Sequence, residues 1–161
     1  MARIIGNIKP EDDFTHALSE ETNFNESMYF NFFDRDQSLG GFVRLGNRAN
    51  EGRAEMTVCL FLPDGRVLFS FNRAQIDDNE AFDAGGMRFE VLEPSERLRT
   101  IYEGRVIELE NARELSDPAR AFADSPRRTA ATLARLGVSH ARGAGAPRAR
   151  ATIRARPSPR R

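Results

Sequence analysis

Residues 53–71 constrain the fold more than any other stretch of this chain. In "RAEMTVCLFL" (53–62), Ala54, Met56, Val58, Leu60 and Leu62 alternate with Glu55, Thr57, Cys59 and Phe61. A period of two places these sets on opposite faces of a strand, the first apolar and the second turning apolar toward its end. The next four residues, "PDGR", form a turn signal, because Asp64 and Gly65 tolerate the positive φ of a tight hairpin. "VLFSF" (67–71) then returns antiparallel.

The neighbouring segments extend this pattern. "MYFNFF" (28–33) is an aromatic strand stopped by "DRD", and Gly40 and Gly41 lead into the strand "FVRL". Residues 46–52 have loop composition, and residues 72–86 form a long polar loop ending in two glycines. "MRFEVLEP" alternates Met87, Phe89 and Val91 against Arg88 and Glu90 until Pro94 ends it. "RLRTIYEG" and "RVIELEN" pair across Gly104 in this scheme. Short helices are expected at 11–22, with Phe14, Ala17 and Leu18 on one side, and at 117–124, with Pro118 at its first position. Six or seven strands without long intervening helices exclude a doubly wound α/β fold. The expected class is all-β, an antiparallel sandwich or partial barrel.

The chain changes character near Ser125. All 24 acidic residues lie at or before Asp124, so residues 1–124 carry a net −10 and residues 125–161 a net +10. The second part holds ten arginines and no acid or aromatic residue, while all 12 phenylalanines and both tyrosines precede it. The expected organisation is therefore a β-rich domain over 1–124 and a disordered basic tail over 125–161. The abrupt loss of acids is also the signature of a GC-rich reading frame translated out of phase. A basic arm that neutralises phosphates is the remaining alternative. The body charge of −10 makes nucleic acid an unfavoured partner.

Few functional groups recur in known catalytic patterns. No phosphate loop, dinucleotide fingerprint or HExxH is present, so no cofactor or metal is expected. The lone Cys59 lies mid-strand among apolar residues and reads as an inert thiol. The N-terminus has no signal-peptide pattern, and no 18-residue apolar stretch exists. The cytoplasm, with no membrane partner, is the default expectation. The carboxylates are more suggestive. Asp34 and Asp36 follow the aromatic strand, and Asp78 and Asp83 sit in the acidic 72–86 loop. Paired carboxylates can raise one another's pKa and supply a general acid. Asn31, if it faces a core, must be hydrogen-bonded or line a polar spot. Inward-facing Arg44, Arg73 or Arg88 would need carboxylate partners, as a structural network or a substrate-orienting cluster.

The segments "NESMYFNFFDRD", "GGFVRLGNRANEG", "AEMTVCLFLPDGRV" and "NEAFDAGGMRFEVLEPSERLRTIYEG" resemble the N-terminal part of an uncharacterised bacterial family. That family is distantly similar to hydroxyneurosporene synthase, the carotenoid 1,2-hydratase. The resemblance covers about residues 8–124. It implies a lipocalin-like β-barrel domain, the first half of a longer protein, that binds or processes an apolar isoprenoid-like molecule. In that scheme Phe30, Phe32, Phe69, Phe71, Met87 and Phe89 line an interior, with Asn31, Arg44 and Arg88 as its polar contacts. Asp34, Asp36, Asp78 or Asp83 would supply the acid. The alternative is a noncatalytic β-domain whose apolar face packs on a second domain or a second copy.

Overall fold

The computed structural model describes residues 9–123, 132–141, 150–153 and 156–157. Among these, the strands are β1 (Glu26–Asp34), β2 (Leu39–Arg48), β3 (Arg53–Phe61), β4 (Val67–Gln75), β5 (Asp83–Ala84), β6 (Met87–Glu93), β7 (Arg97–Arg105), β8 (Ile107–Leu109), β9 (Thr132–Ala141), β10 (Arg150–Ile153) and β11 (Arg156–Pro157). One short helix, α1 (Pro118–Ala123), starts with the expected proline. The first sheet has the order β1-β2-β3-β4-β8 and the second β10-β9-β7-β6-β5, with every pairing antiparallel. The class is all-β. No helix among the described residues is long and apolar enough to cross a membrane. Of residues 125–161, Thr132–Ala141 pairs with β7, and β10 and β11 pair with it in turn. The rest of the tail expectation lies outside the described residues.

The central hairpin forms where the alternation places it. Leu62 N donates to Arg66 O at 2.9 Å and Gly65 N to Leu62 O at 3.0 Å, with Gly65 at φ 90°. Asp64 keeps negative φ and instead accepts from the Arg66 backbone and guanidinium. Ala54, Met56, Val58 and Leu60 are fully buried, as their shared face predicts. They meet Val43 and Leu45 of β2, Met87 and Phe89 of β6, and Tyr102 of β7 in one apolar cluster between the sheets. A smaller cluster, Cys59, Val67, Leu109 and Ala121, lies on the other side of the first sheet, under α1.

Three local expectations change. Residues 11–22 contain a 3-10 turn at Pro10–Asp13 and then run as a strap without helix. Asp13 accepts the Ser95 N–H, Asn79 donates to His16 O at 3.0 Å, and Asn50 donates to Ser19 O and Glu21 O at 2.7 Å. These contacts replace the intrahelical bonds, while Phe14 and Leu18 stay about half exposed. Second, β7 and β8 do not pair with each other: β7 sits between β6 and β9, and β8 crosses to β4. Gly104 is not a turn but lies within β7, where the Tyr102 ring covers it and donates its hydroxyl to Arg105 O at 2.8 Å. Third, the two glycines of the 72–86 segment close a tight hairpin, because Ala84 pairs with Met87 and both glycines have positive φ.

Candidate functional site: the outer face of the first sheet

The pairing register decides which side chains share a face. Leu60 faces Leu68 and Met56 faces Asn72 across β3–β4, so even-numbered β4 residues turn inward. Phe69 and Phe71 therefore point outward with Thr57 and Cys59. The six aromatic and sulfur side chains expected around one interior are split. Phe30, Phe32, Met87 and Phe89 belong to the inter-sheet cluster, whereas Phe69 packs on Phe122 of α1 and Phe71 is half exposed. Asn31 is exposed on the same outer side, so the core condition on it does not arise.

The outer face has a regular layout. One row across the strands reads Tyr29, Arg44, Thr57, Phe71, and another reads Phe33, Gly40, Phe61. Tyr29 (54% exposed), Phe33 (58%), Phe71 (50%) and Phe61 (40%) are about half exposed to water. Tyr29 stacks on Phe42 at 5.8 Å and Arg73 lies over Phe71 at 5.7 Å. Helix α1 packs over the middle and β4–β8 side of this face, where Ala121 and Phe122 join Cys59, Phe69, Val67 and Leu109 in one cluster with Phe42 at its margin.

The Arg48 end of the face is basic. Glu55 meets Arg73 at 3.4 Å, Arg48 at 3.6 Å, Arg44 at 3.8 Å and Arg53 at 3.9 Å. Glu51 bridges Arg48 at 2.7 Å and Arg53 at 2.6 Å, and its hydrogen bond from Arg48 holds it below the usual carboxylate range. Gly46 makes room for this network, since a Cβ there would lie 2.8 Å from the Arg44 guanidinium. Arg44 and Arg73 thus join a salt-bridge network that also recruits Arg48 and Arg53, which the sequence pattern left out. Arg88 is separate, on the second sheet with Glu90 at 2.9 Å and Asp83 at 4.0 Å.

The candidate acids do not converge. Asp34 is buried and accepts from Asp36 N at 3.0 Å, Gln37 N at 3.2 Å and Gln37 Nε2 at 2.8 Å, which builds the β1–β2 turn. Asp36 is exposed in that turn. Asp78 accepts from Glu80 N in the loop that reaches Asn47, opposite the other end of β1. Eight strand steps, about 26 Å, separate the two ends of β1. Asp83 pairs across β5–β6 with Arg88. Cys59 is buried, and desolvation pushes its thiol up to about 11. Among the described residues, no group of three or more His, Cys, Asp or Glu is placed to hold a metal ion.

Two hollows adjoin this framework. One of about 530 Å³ is lined mainly by polar residues of α1 and the segment before it, including Glu110, Arg113, Asp117 and Arg120. The other, about 210 Å³, lies between β1, β6 and the N-terminal strap, and Phe14, Met28, Phe82, Phe89 and Val91 line it. The strap is held here by His16, whose Nδ1 is 3.1 Å from Glu26 and whose Nε2 is 3.6 Å from Asp12. Hydrogen bonding and attraction from Glu26, then Asp12, raise the His16 pKa. A raised folded pKa gives stability that is full below the unfolded value and lost as pH rises through the folded one. The stability of the unsubstituted chain is therefore expected to decline above about pH 6.5. In His16→Gln this step should vanish, as read by chemical denaturation across pH and an NMR titration of the imidazole.

A family model described as Domain of unknown function (DUF7064) matches residues 9–155, and the chain belongs to that family. The match runs across the charge break at residue 125 and carries no specific link to hydroxyneurosporene synthase. No curated protein and no solved structure matches the chain.

Proposed function

We propose that this DUF7064 domain is a noncatalytic β-sandwich that associates with a second copy of itself through the outer face of its first sheet. The observation that carries this reading is the set of four exposed rings, Tyr29, Phe33, Phe61 and Phe71, on one sheet face. Several exposed aromatic rings on one sheet face mark an association site. Charge selects the occupant. At one end of the face stand Arg44, Arg48, Arg53 and Arg73, paired with Glu51 and Glu55. At the other end, the β1–β2 turn, the β3–β4 turn and the residue after β8 carry Asp36, Asp64 and Glu110 with Arg35 and Arg66, while Asp34 and Glu108 lie opposite the inward-facing Leu39 and Leu68. A two-fold axis across the strands would set the basic end of each copy on the acidic end of the other, with the rings between.

The isoprenoid-processing alternative draws on a smaller feature, the crevice of about 210 Å³ beside Phe89. Pockets that enclose drug-sized ligands are usually about 300–1000 Å³. The inner positions that would surround a polyene are packed against one another, and the acids lie apart.

Analytical ultracentrifugation tests the association. The chain should sediment as a dimer at about 100 μM, and added salt should weaken it because the two ends attract. Tyr29→Glu with Phe71→Glu should leave the fold intact, since both rings are exposed, and weaken association more than 10-fold. A monomer at every concentration, or a dimer indifferent to both substitutions, would overturn the reading.

A further inference from the structure

We infer that β1 is a strand-addition site that takes an extended, basic peptide segment of another polypeptide. The first observation is topological. The two sheets end in β1, β8, β5 and β10, and three of these edge strands are short, at 3, 2 and 4 residues for β8, β5 and β10. Short edges resist pairing with other chains. The fourth, β1, has 9 residues, and β2 is its sole strand neighbour among the described residues. Its sequence, "ESMYFNFFD", has no lysine, arginine, proline or glycine, and its register with β2 runs unbroken over all nine positions. Glu26 and Asp34, at its two ends, turn inward and the strap is bonded to Glu26, whereas the seven positions between them, Ser27–Phe33, carry no charge, proline or bulge. The chemistry of an edge strand specifies its occupant, because only an extended backbone matches the repeat of N–H and C=O groups.

The second observation is the hollow beside that edge. An added strand would point alternate side chains toward the inner and outer sides of the sheet. On the inner side, beside Met28, opens the apolar crevice of about 210 Å³ lined by Phe82, Phe89 and Val91. Its size suits one large side chain, an arrangement in which backbone pairing supplies affinity and a side-chain pocket supplies specificity. The third observation is charge. The strap beside the crevice carries Glu11, Asp12, Asp13, Glu20 and Glu21, and the loop across from it carries Asp77, Asp78, Glu80 and Asp83. Asp13 and Glu80 line the crevice itself. An incoming strand therefore gains from arginine or lysine at the positions flanking its apolar anchor. This site is the edge of the sheet and does not depend on self-association through its face.

The test uses the full chain, labelled for NMR, and the peptide Arg-Phe-Arg-Val-Thr-Phe-Arg-Val-Arg. In the free protein, alternate amides of Glu26–Asp34 should exchange with solvent at least 10-fold faster than those bonded to β2. Saturating peptide should slow them at least 10-fold, whereas the same peptide N-methylated at alternate residues should not. Replacing both peptide phenylalanines by alanine should weaken binding at least 10-fold, and Val91→Phe, which fills the crevice, should remove that difference. If Val91→Phe fails to fold, the phenylalanine–alanine comparison on the unsubstituted chain decides the same point. Three results overturn the inference. They are β1 amides uniformly protected in the free chain, no slowing at millimolar peptide, or equal binding of the N-methylated peptide.

Discussion

Gly86→Ala is expected to destabilise the protein by about 3 kcal/mol, roughly 10 °C in the thermal midpoint. Two costs combine at this position. Gly86 has φ 84°, a conformation that L side chains rarely adopt. A Cβ there would also lie 2.4 Å from the carbonyl oxygen of Glu103, and Gly86 O accepts the Glu103 N–H at 2.9 Å. The backbone therefore cannot shift away without losing the bond that ties the β5–β6 hairpin to β7. Gly52 separates these terms. It has φ 67° with nothing within 4 Å of its Cβ position, so Gly52→Ala should cost only about 1 kcal/mol, the conformational part. Circular dichroism melts of the two variants measure the difference. Equal losses would mean that the contact with β7 contributes nothing.

The same pair of glycines shows where the sequence was legible. Two adjacent glycines before an alternating strand signal a two-residue hairpin, yet the acidic residues around them made the whole 72–86 segment read as loop. On β3 the alternation identified the buried face correctly, because Ala54, Met56, Val58 and Leu60 form an unbroken apolar series. On β4 the aromatic identity of Phe69 and Phe71 pointed inward and the register pointed outward. Cross-strand pairing with Thr57 and Cys59 is a property of two strands together, which no single-strand pattern contains. The basic network was hidden for the same reason. Glu55 lies beside Gly46 and Arg73 only through pairing, and Gly46 alone gives no sign that a guanidinium lies over it. Asp34 was visible as a polar residue after an aromatic strand. Its three accepted hydrogen bonds identify a turn-forming carboxylate, and a spacing of two to Asp36 cannot distinguish that from an acid pair.

Whether the space between the sheets is filled or hollow can be measured at Tyr102. Tyr102→Ala is expected to cost about 4 kcal/mol, and Tyr102→Phe about 1 kcal/mol. The ring is fully buried against the apolar cluster between the sheets, opposite Met87 in the ladder, and its hydroxyl donates to Arg105 O at 2.8 Å. Burial also raises the Tyr102 pKa, as expected for a phenol removed from water. Removing the ring from a filled interior adds the cost of an unfilled cavity to the lost transfer energy. Removing it from the wall of a pre-existing chamber adds no such cavity, and the alanine variant would then lose only the transfer part, about 2 kcal/mol. Denaturant titration reads both values, provided the slope with denaturant is unchanged. A large gap between the variants would place the molecule's recognition surfaces on its exterior, at the aromatic face and the β1 edge. A small gap would place an apolar ligand site between the sheets, because a chamber large enough to absorb a tyrosine ring is large enough to hold an apolar guest.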